Sequence, residues 1–66
     1  MPFVVKGTGQ HFGINWIWPG AARYINFGSR KGATVFPTHL EAQAAADKAA
    51  KSYSGLGITF TVEAAD

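Results

Sequence analysis

The side chains that could perform metal chemistry in this 66-residue chain are few and widely spaced. His11 and His39 are the only imidazole ligands, and there is no cysteine. A zinc site would therefore need carboxylates from distant positions, and neither histidine has the spacing typical of such a site. We expect no bound metal.

The residues also do not favour catalysis. Ser29, Ser52 and Ser54 fall in predicted turns or at a helix end, where a serine hydroxyl makes local hydrogen bonds. The four carboxylates show no paired spacing typical of a catalytic dyad. The glycines at 7, 9 and 13 do not complete a dinucleotide fingerprint, because Phe12 occupies its third glycine position and a strand follows. We expect no enzymatic activity and no cofactor.

Interleaved aromatic and basic residues are the strongest functional signal in the sequence. Residues 12–27 (FGINWIWPGAARYINF) contain both tryptophans, one arginine and no acid. Such rings stack on bases or anchor protein interfaces, and nearby cations attract phosphates or carboxylates. The candidate partner-binding residues are Trp16, Trp18, Arg23, Tyr24, Asn26, Arg30 and Lys31. Core and surface positions remain equal alternatives for Trp16, whereas Trp18, next to the Pro19 turn, is expected to be exposed.

Charge is divided unevenly along the chain, although the net charge is only +2. Residues 1–37 carry four cations and no acid, whereas residues 38–66 carry four acids and two cations. The first half of the chain should therefore attract anions if its cations share a face.

The length of the chain allows one domain, spanning residues 1–66, because a second would lack the side chains for its own core. No apolar run is long enough to cross a bilayer, and MPFVVKGTGQ does not resemble a signal peptide. We expect a complete, soluble, cytoplasmic protein that does not bind membranes. Without disulfides, homodimer formation is the remaining device that could stabilise so short a chain.

Short alternating segments predict an antiparallel meander of three or four strands. The segments are FVVK (3–6), FGINWIW (12–18), ARYINFG (22–28) and ATVF (33–36), the last being either a short strand or the end of a hairpin after the basic turn GSRKG. Alternation in the second segment places Phe12, Ile14, Trp16 and Trp18 on one side, and Asn15 and Ile17 on the other. Which side faces a helix is left open by the pattern.

One helix and a final strand complete the predicted fold. Thr38 is a typical N-cap, Glu41 completes a capping box, and Ser54 and Gly55 end the helix. A stripe of small residues on this helix can approach a sheet closely: Ala42, Ala45, Ala46 and Ala49, followed by Tyr53. Residues 57–63 alternate as a half-buried strand with Ile58, Phe60 and Val62 inward. The fold class is α+β, with the order β-β-β-α-β and one helix on one sheet face.

Residues 14–60 resemble the plant-type ethylene-response-factor DNA-binding domain and related integrase arm-binding modules. The resemblance rests on VFPTHLEAQAAADKAAKSYSGLGITF, in which a strand ends at Phe36 and Thr38 caps an alanine-rich helix. It implies that a sheet enters the DNA major groove and that Trp16, Trp18, Arg23 and Arg30 contact DNA. The sheet of that family is much richer in arginine than this one. The same helix pattern is similar to that of small phage-encoded proteins that inhibit host or defence complexes.

Two functional hypotheses follow. The preferred one is a small phage-type modulator or inhibitor that engages a host or defence complex through an aromatic and basic sheet face. This hypothesis is preferred because the chain has more aromatic side chains than one helix can cover. The alternative is a double-stranded DNA-binding module that uses the same sheet, with about four phosphates neutralised at most.

Overall fold

Four antiparallel strands form one sheet in the computed structural model, which describes residues 2–19 and 25–65. The strands are β1 (Phe3–Gly9), β2 (Gly13–Trp18), β3 (Asn26–Gly28) and β4 (Thr59–Ala64). Their order across the sheet is β3-β2-β1-β4, so the last strand of the chain pairs with the first. One helix, α1 (His39–Ser52), packs on one face. The predicted α+β fold, with its helix before the final strand, is confirmed.

The helix begins after its predicted N-cap and packs on its predicted stripe, although the Glu41 carboxylate accepts from the Thr38 hydroxyl and not, as in a full capping box, from the Thr38 backbone N–H. The Thr38 hydroxyl accepts a hydrogen bond from the Glu41 backbone N–H at 3.2 Å and donates one to the Glu41 carboxylate at 3.2 Å. Ala42, Ala46 and Ala49 are buried against the sheet, and their small side chains let the helix backbone approach it closely. The turn after the helix contains Gly55, whose φ of +85° suits glycine alone.

The strand register decides which sheet face the helix covers. Residues directly opposite each other in neighbouring strands share a face, so the pairs Val5↔Val62, Gly7↔Phe60 and Ile17↔Phe27 identify one face. Val5 and Ile17 are buried in a core with the helix alanines, and Phe27, Phe60 and Val62 pack against that core. The Ile17 side of β2 therefore meets the helix, which places Ile14, Trp16 and Trp18 on the opposite face.

The turn before β2 changes the face that Phe12 occupies. Alternation predicts that Phe12 lies beside Ile14, but β2 starts only at Gly13, whose φ is +76°. The left-handed conformation of Gly13 breaks the alternation, and the Phe12 ring meets the Phe27 ring edge to face, with centroids 4.9 Å apart. The prediction for Phe12 is wrong for this reason.

The third and fourth predicted strand segments form strand in part of their described residues. Residues 25–28 of the third segment are described, where Asn26–Gly28 is strand and Ile25, just before it, packs against the core. In segment 33–36, Phe36 forms an isolated bridge with Phe3. Arg23 and Tyr24 lie outside the described residues. The basic turn forms a 3-10 helical turn at Arg30–Gly32.

Segment 33–36 lies between two strands that separate. Pairing of β1 with β2 reaches Lys6↔Trp16, beyond which the two strands diverge. Phe36 pairs with Phe3 through backbone N···O distances of 2.8 and 2.7 Å, and the Thr34 N–H donates to the Ile17 carbonyl at 2.8 Å. The segment therefore satisfies the backbone groups of both strands.

Candidate binding surface on the open sheet face

The sheet face opposite the helix, called the open face below, carries most of the described candidate residues. Register places on it Val4, Lys6, Thr8, Ile14, Trp16, Trp18, Asn26, Thr59, Thr61 and Glu63. The helix cannot cover these side chains because it packs on the other face. Within residues 2–19 and 25–65, the loop after β3 lies across part of this surface.

Trp16 reaches across the central strand β1 to an acid on β4. Its indole N–H donates to the Glu63 carboxylate at 2.9 Å, and the Lys6 ammonium lies 3.8 Å from the other Glu63 oxygen. The Trp16 ring is half-buried, so it contributes to packing on the open face and also presents ring surface to solvent. Both alternatives raised by the sequence for Trp16 therefore hold in part.

The role of Glu63 as an acceptor is separable from its charge. Glu63→Gln retains an oxygen for the Trp16 indole and removes only the ion pair with Lys6. The side chains of Lys6 and Glu63 are each about one third exposed. The free energy of unfolding should therefore change by less than about 1 kcal/mol. Glu63→Ala leaves a half-buried N–H without its acceptor and should cost about 1 kcal/mol more.

Urea unfolding measures these differences, and the NMR shift of the Trp16 indole proton reports the hydrogen bond directly. This proton should move strongly in Glu63→Ala and little in Glu63→Gln. Equal stability and equal shifts in the two variants would show that the indole does not depend on Glu63.

Trp18 fixes the basic turn to the sheet. Its indole N–H donates to the Ser29 carbonyl at 2.7 Å. The ring lies directly on Gly28 and Gly32, where added Cβ atoms would fall 2.5 and 2.4 Å from ring atoms. Trp18 nevertheless remains 36% exposed, as its sequence position predicts.

The loop after β3 covers one end of the open face. The Arg30 guanidinium donates to the Ala64 carbonyl at 2.7 Å, which ties this loop to the far edge strand β4. Val4 lies on the open face and yet is only 2% exposed. Its burial follows from the covering loop, because the helix lies on the opposite face.

An open pocket lies where this loop meets the sheet. Its volume is about 370 Å³. It is lined by Val4, Arg30, Lys31, Ala33, Val35 and Ala65. Among the described residues, the lining thus combines four apolar side chains with two cations and contains no acid.

The structure brings together five of the seven candidate residues. Trp16, Trp18 and Asn26 lie on the open face, where the Asn26 amide donates to the Pro19 carbonyl at 3.2 Å. Arg30 and Lys31 border the pocket at one end of this face. The positions of Arg23 and Tyr24 fall in the part of the chain that is not described.

Sequence reasoning missed four surface residues. They are Lys6, Ile14, Val35 and Glu63. Lys6 and Glu63 were not connected because the pairing of the first and last strands is not encoded in local sequence. The alternation that marked Trp16 and Trp18 also placed Ile14 on their side, so Ile14 could have been found.

Cations outnumber acids on the open face and its covering loop within the described residues. Lys6, Arg30 and Lys31 lie there, with Glu63 as the acid. The exposed side of α1 carries both signs, with Glu41 and Asp47 as acids and Lys48 and Lys51 as cations. Among the described residues, the open face and its loop thus carry a net charge of +2, and the exposed side of the helix carries a net charge of zero.

Comparison with known proteins adds no relative. No protein-family model matches the chain, and no curated protein or solved structure is significantly similar to it. The resemblance to DNA-binding domains and phage-encoded inhibitors stays a prediction. Within residues 2–19 and 25–65, no three His, Cys, Asp or Glu side chains come together as a metal site would require. The helical residues described do not include a stretch long and apolar enough to cross a bilayer.

Proposed function

We propose that the protein is a non-enzymatic binding module whose open face engages a protein with an acidic, partly apolar surface. The observation that carries this proposal is a set of exposed apolar side chains on that face. Ile14 is 56% exposed and Val35 is 57% exposed, and Trp18 lies on the same side. Exposed apolar groups rimmed by charge are typical of interaction sites. In this role the protein acts as a small modulator or inhibitor of a larger complex.

The geometry supports a protein partner better than duplex DNA. The described cations Lys6, Arg30 and Lys31 could neutralise about three phosphates, and Arg23 at most one more, which predicts weak binding that salt reduces steeply. Glu63 lies among them and would repel the DNA backbone. The loop that buries Val4 also prevents this end of the sheet from lying flat in a major groove. An acidic protein surface can be shaped to accommodate both Glu63 and the covering loop.

A matched pair of variants tests the proposal. Ile14→Ser removes an exposed apolar side chain from the open face, and Leu40→Ser makes the same kind of change on the helix, where Leu40 is 80% exposed. Each immobilised variant is used for capture from a lysate of the cells that make the protein, with quantitative mass spectrometry. Ile14→Ser should reduce capture of the partner about tenfold, whereas Leu40→Ser should leave it unchanged.

Two further measurements separate the alternatives. Titration of labelled duplex DNA at about 50 and about 200 mM salt should give no submicromolar binding. Sedimentation of the unmodified protein should show no dimer that is lost in the Ile14→Ser variant. Tight, salt-sensitive DNA binding would establish the DNA-binding alternative, and an Ile14-dependent dimer would make a second copy the occupant of the open face. Equal capture by the Ile14 and Leu40 variants would refute the proposal.

A further inference from the structure

We propose that the pocket beside the basic turn binds the C-terminal residue of the partner protein, with an aliphatic side chain on the pocket floor and its carboxylate between Arg30 and Lys31. This inference rests on the proposed function, because it names the group that the partner presents. The argument uses the lining, the hydrogen bonds that hold it, and its position on the open face.

The charges at the pocket select an anion. Arg30 and Lys31 border it, and among the residues that the structure describes no acid lines it. Arginine presents a planar fork that matches a carboxylate, and lysine adds a second positive charge. The ammonium of Lys31 has no hydrogen bond or ion pair with a side chain in the described ranges, so it can turn toward a ligand.

The floor of the pocket selects an apolar group next to that anion. Val4, Ala33, Val35 and Ala65 supply the apolar part of the lining. A volume of about 370 Å³ is near the lower end of the range of about 300–1,000 Å³ found for ligand sites. A C-terminal valine or leucine offers a carboxylate and a branched aliphatic side chain in one residue. An internal glutamate offers the charge with only a thin apolar stem.

The pocket is formed before any ligand binds. Arg30 is held by its 2.7 Å hydrogen bond to the Ala64 carbonyl, and Trp18 holds Ser29 at 2.7 Å. Prior ordering of these groups lowers the entropy lost on binding. Val35 belongs both to the pocket lining and to the exposed apolar side chains of the open face. A protein that covers Val35 on the open face would therefore also meet the pocket, which favours a partner's terminus over a free small molecule.

Three short peptides test the assignment on the intact protein. The probes are acetyl-Gly-Gly-Ala-Val with a free carboxylate, the same peptide as its C-terminal amide, and acetyl-Gly-Gly-Glu amide. Methyl NMR signals of Val4, Ala33 and Val35 report binding in the pocket. The free acid should shift these signals with a Kd on the order of 1 mM, as expected for so small a ligand. The two amides should bind at least about tenfold more weakly, because each lacks half of the recognised group.

Lys31→Ala should weaken binding of the free acid about threefold, the modest loss expected for an exposed cation. Lys48→Ala removes a lysine from the outer side of the helix and should have no effect. Equal binding of the acid and its amide, tighter binding of the glutamyl amide, or no shift of the pocket methyls would each overturn the assignment. Ile14 is not among the pocket-lining residues, so capture by Ile14→Ser tests the proposed function without testing the pocket. Failure of the peptides with the expected capture result would therefore overturn this inference alone.

Discussion

Phe27→Ala is expected to lower the free energy of unfolding by about 3 kcal/mol, the low end of the range for aromatic-to-alanine changes in cores, since Phe27 is half-buried. Small domains have a stability of about 0.05–0.15 kcal/mol per residue, or about 3–10 kcal/mol for 66 residues, so this loss would remove at least about a third of the total. The reason is the position of the ring at the centre of an aromatic cluster between the sheet and the end of the helix.

The cluster is defined by Phe27 and the three rings that surround it. The centroid of the Phe27 ring lies 4.9 Å from that of Phe12, 5.5 Å from that of Tyr53 and 6.1 Å from that of Phe60. The first two contacts are edge to face, the arrangement that the ring quadrupoles favour. Removing Phe27 therefore takes away one partner from each of the other rings.

Gly7 makes room for this cluster on the central strand. A Cβ at that position would lie 2.9 Å from the Phe60 ring and 3.0 Å from the Phe12 ring. The absence of a side chain at Gly7 leaves the space that the rings fill, so a cavity left by Phe27→Ala cannot be closed by β1.

Urea unfolding followed by tryptophan fluorescence measures the effect, and Leu56→Ala is the matched control. Leu56 is 66% exposed, so loss of its side chain should change stability by less than about 0.5 kcal/mol. A loss for Phe27→Ala as small as that of the control would show that the rings do not form a cohesive core.

Local patterns predicted the parts of this fold that depend on neighbouring residues. The Thr38 cap, the alanine stripe and the inward alternation of Phe60 and Val62 are set by contacts within one element, and each is confirmed. Phe12 was misplaced because one residue, Gly13, has a positive φ that alternation does not reveal. Pattern analysis assumes regular backbone, and it fails where a turn rotates the chain.

The arrangement of the candidate site depends on pairings between distant residues. The bond from Trp16 to Glu63 joins positions 47 residues apart, and Arg30 reaches Ala64 over 34 residues. Neither contact follows from composition or spacing, because both require β4 to return beside β1. The sequence identifies candidate binding residues, but their arrangement around the pocket depends on the strand order.

Trp18→Ala is expected to lower the free energy of unfolding by about 2–3 kcal/mol and to abolish peptide binding in the pocket. The stability loss is smaller than the about 3–5 kcal/mol of a fully buried tryptophan because the ring is 36% exposed. Loss of the ring removes the contacts with Gly28 and Gly32 and the hydrogen bond to Ser29. The loop that presents Arg30 and Lys31 then loses its attachment to β2.

Two further variants separate the ring from its hydrogen bond. Trp18→Phe keeps an aromatic ring but has no N–H for the Ser29 carbonyl, so it should cost about 1 kcal/mol and retain peptide binding. Gly32→Ala places a Cβ where Trp18 atoms now lie, 2.4 Å away, and should displace the ring. Gly32 has no positive φ, so backbone strain does not contribute to its effect. Gly32→Ala should therefore resemble Trp18→Ala in both measurements.

Methyl NMR of Val4 is the most direct readout, because this side chain is 2% exposed only while the loop covers it. In Trp18→Ala and Gly32→Ala the Val4 methyls should shift and become accessible to a dissolved paramagnetic probe, and in Trp18→Phe they should stay protected. If Val4 remained protected in all three variants, the bond from Arg30 to Ala64 would suffice to hold the loop, and Trp18 would be free to serve the partner alone. The expected result instead gives the ring a structural role, in which it keeps the two cations in place while part of it stays exposed on the open face.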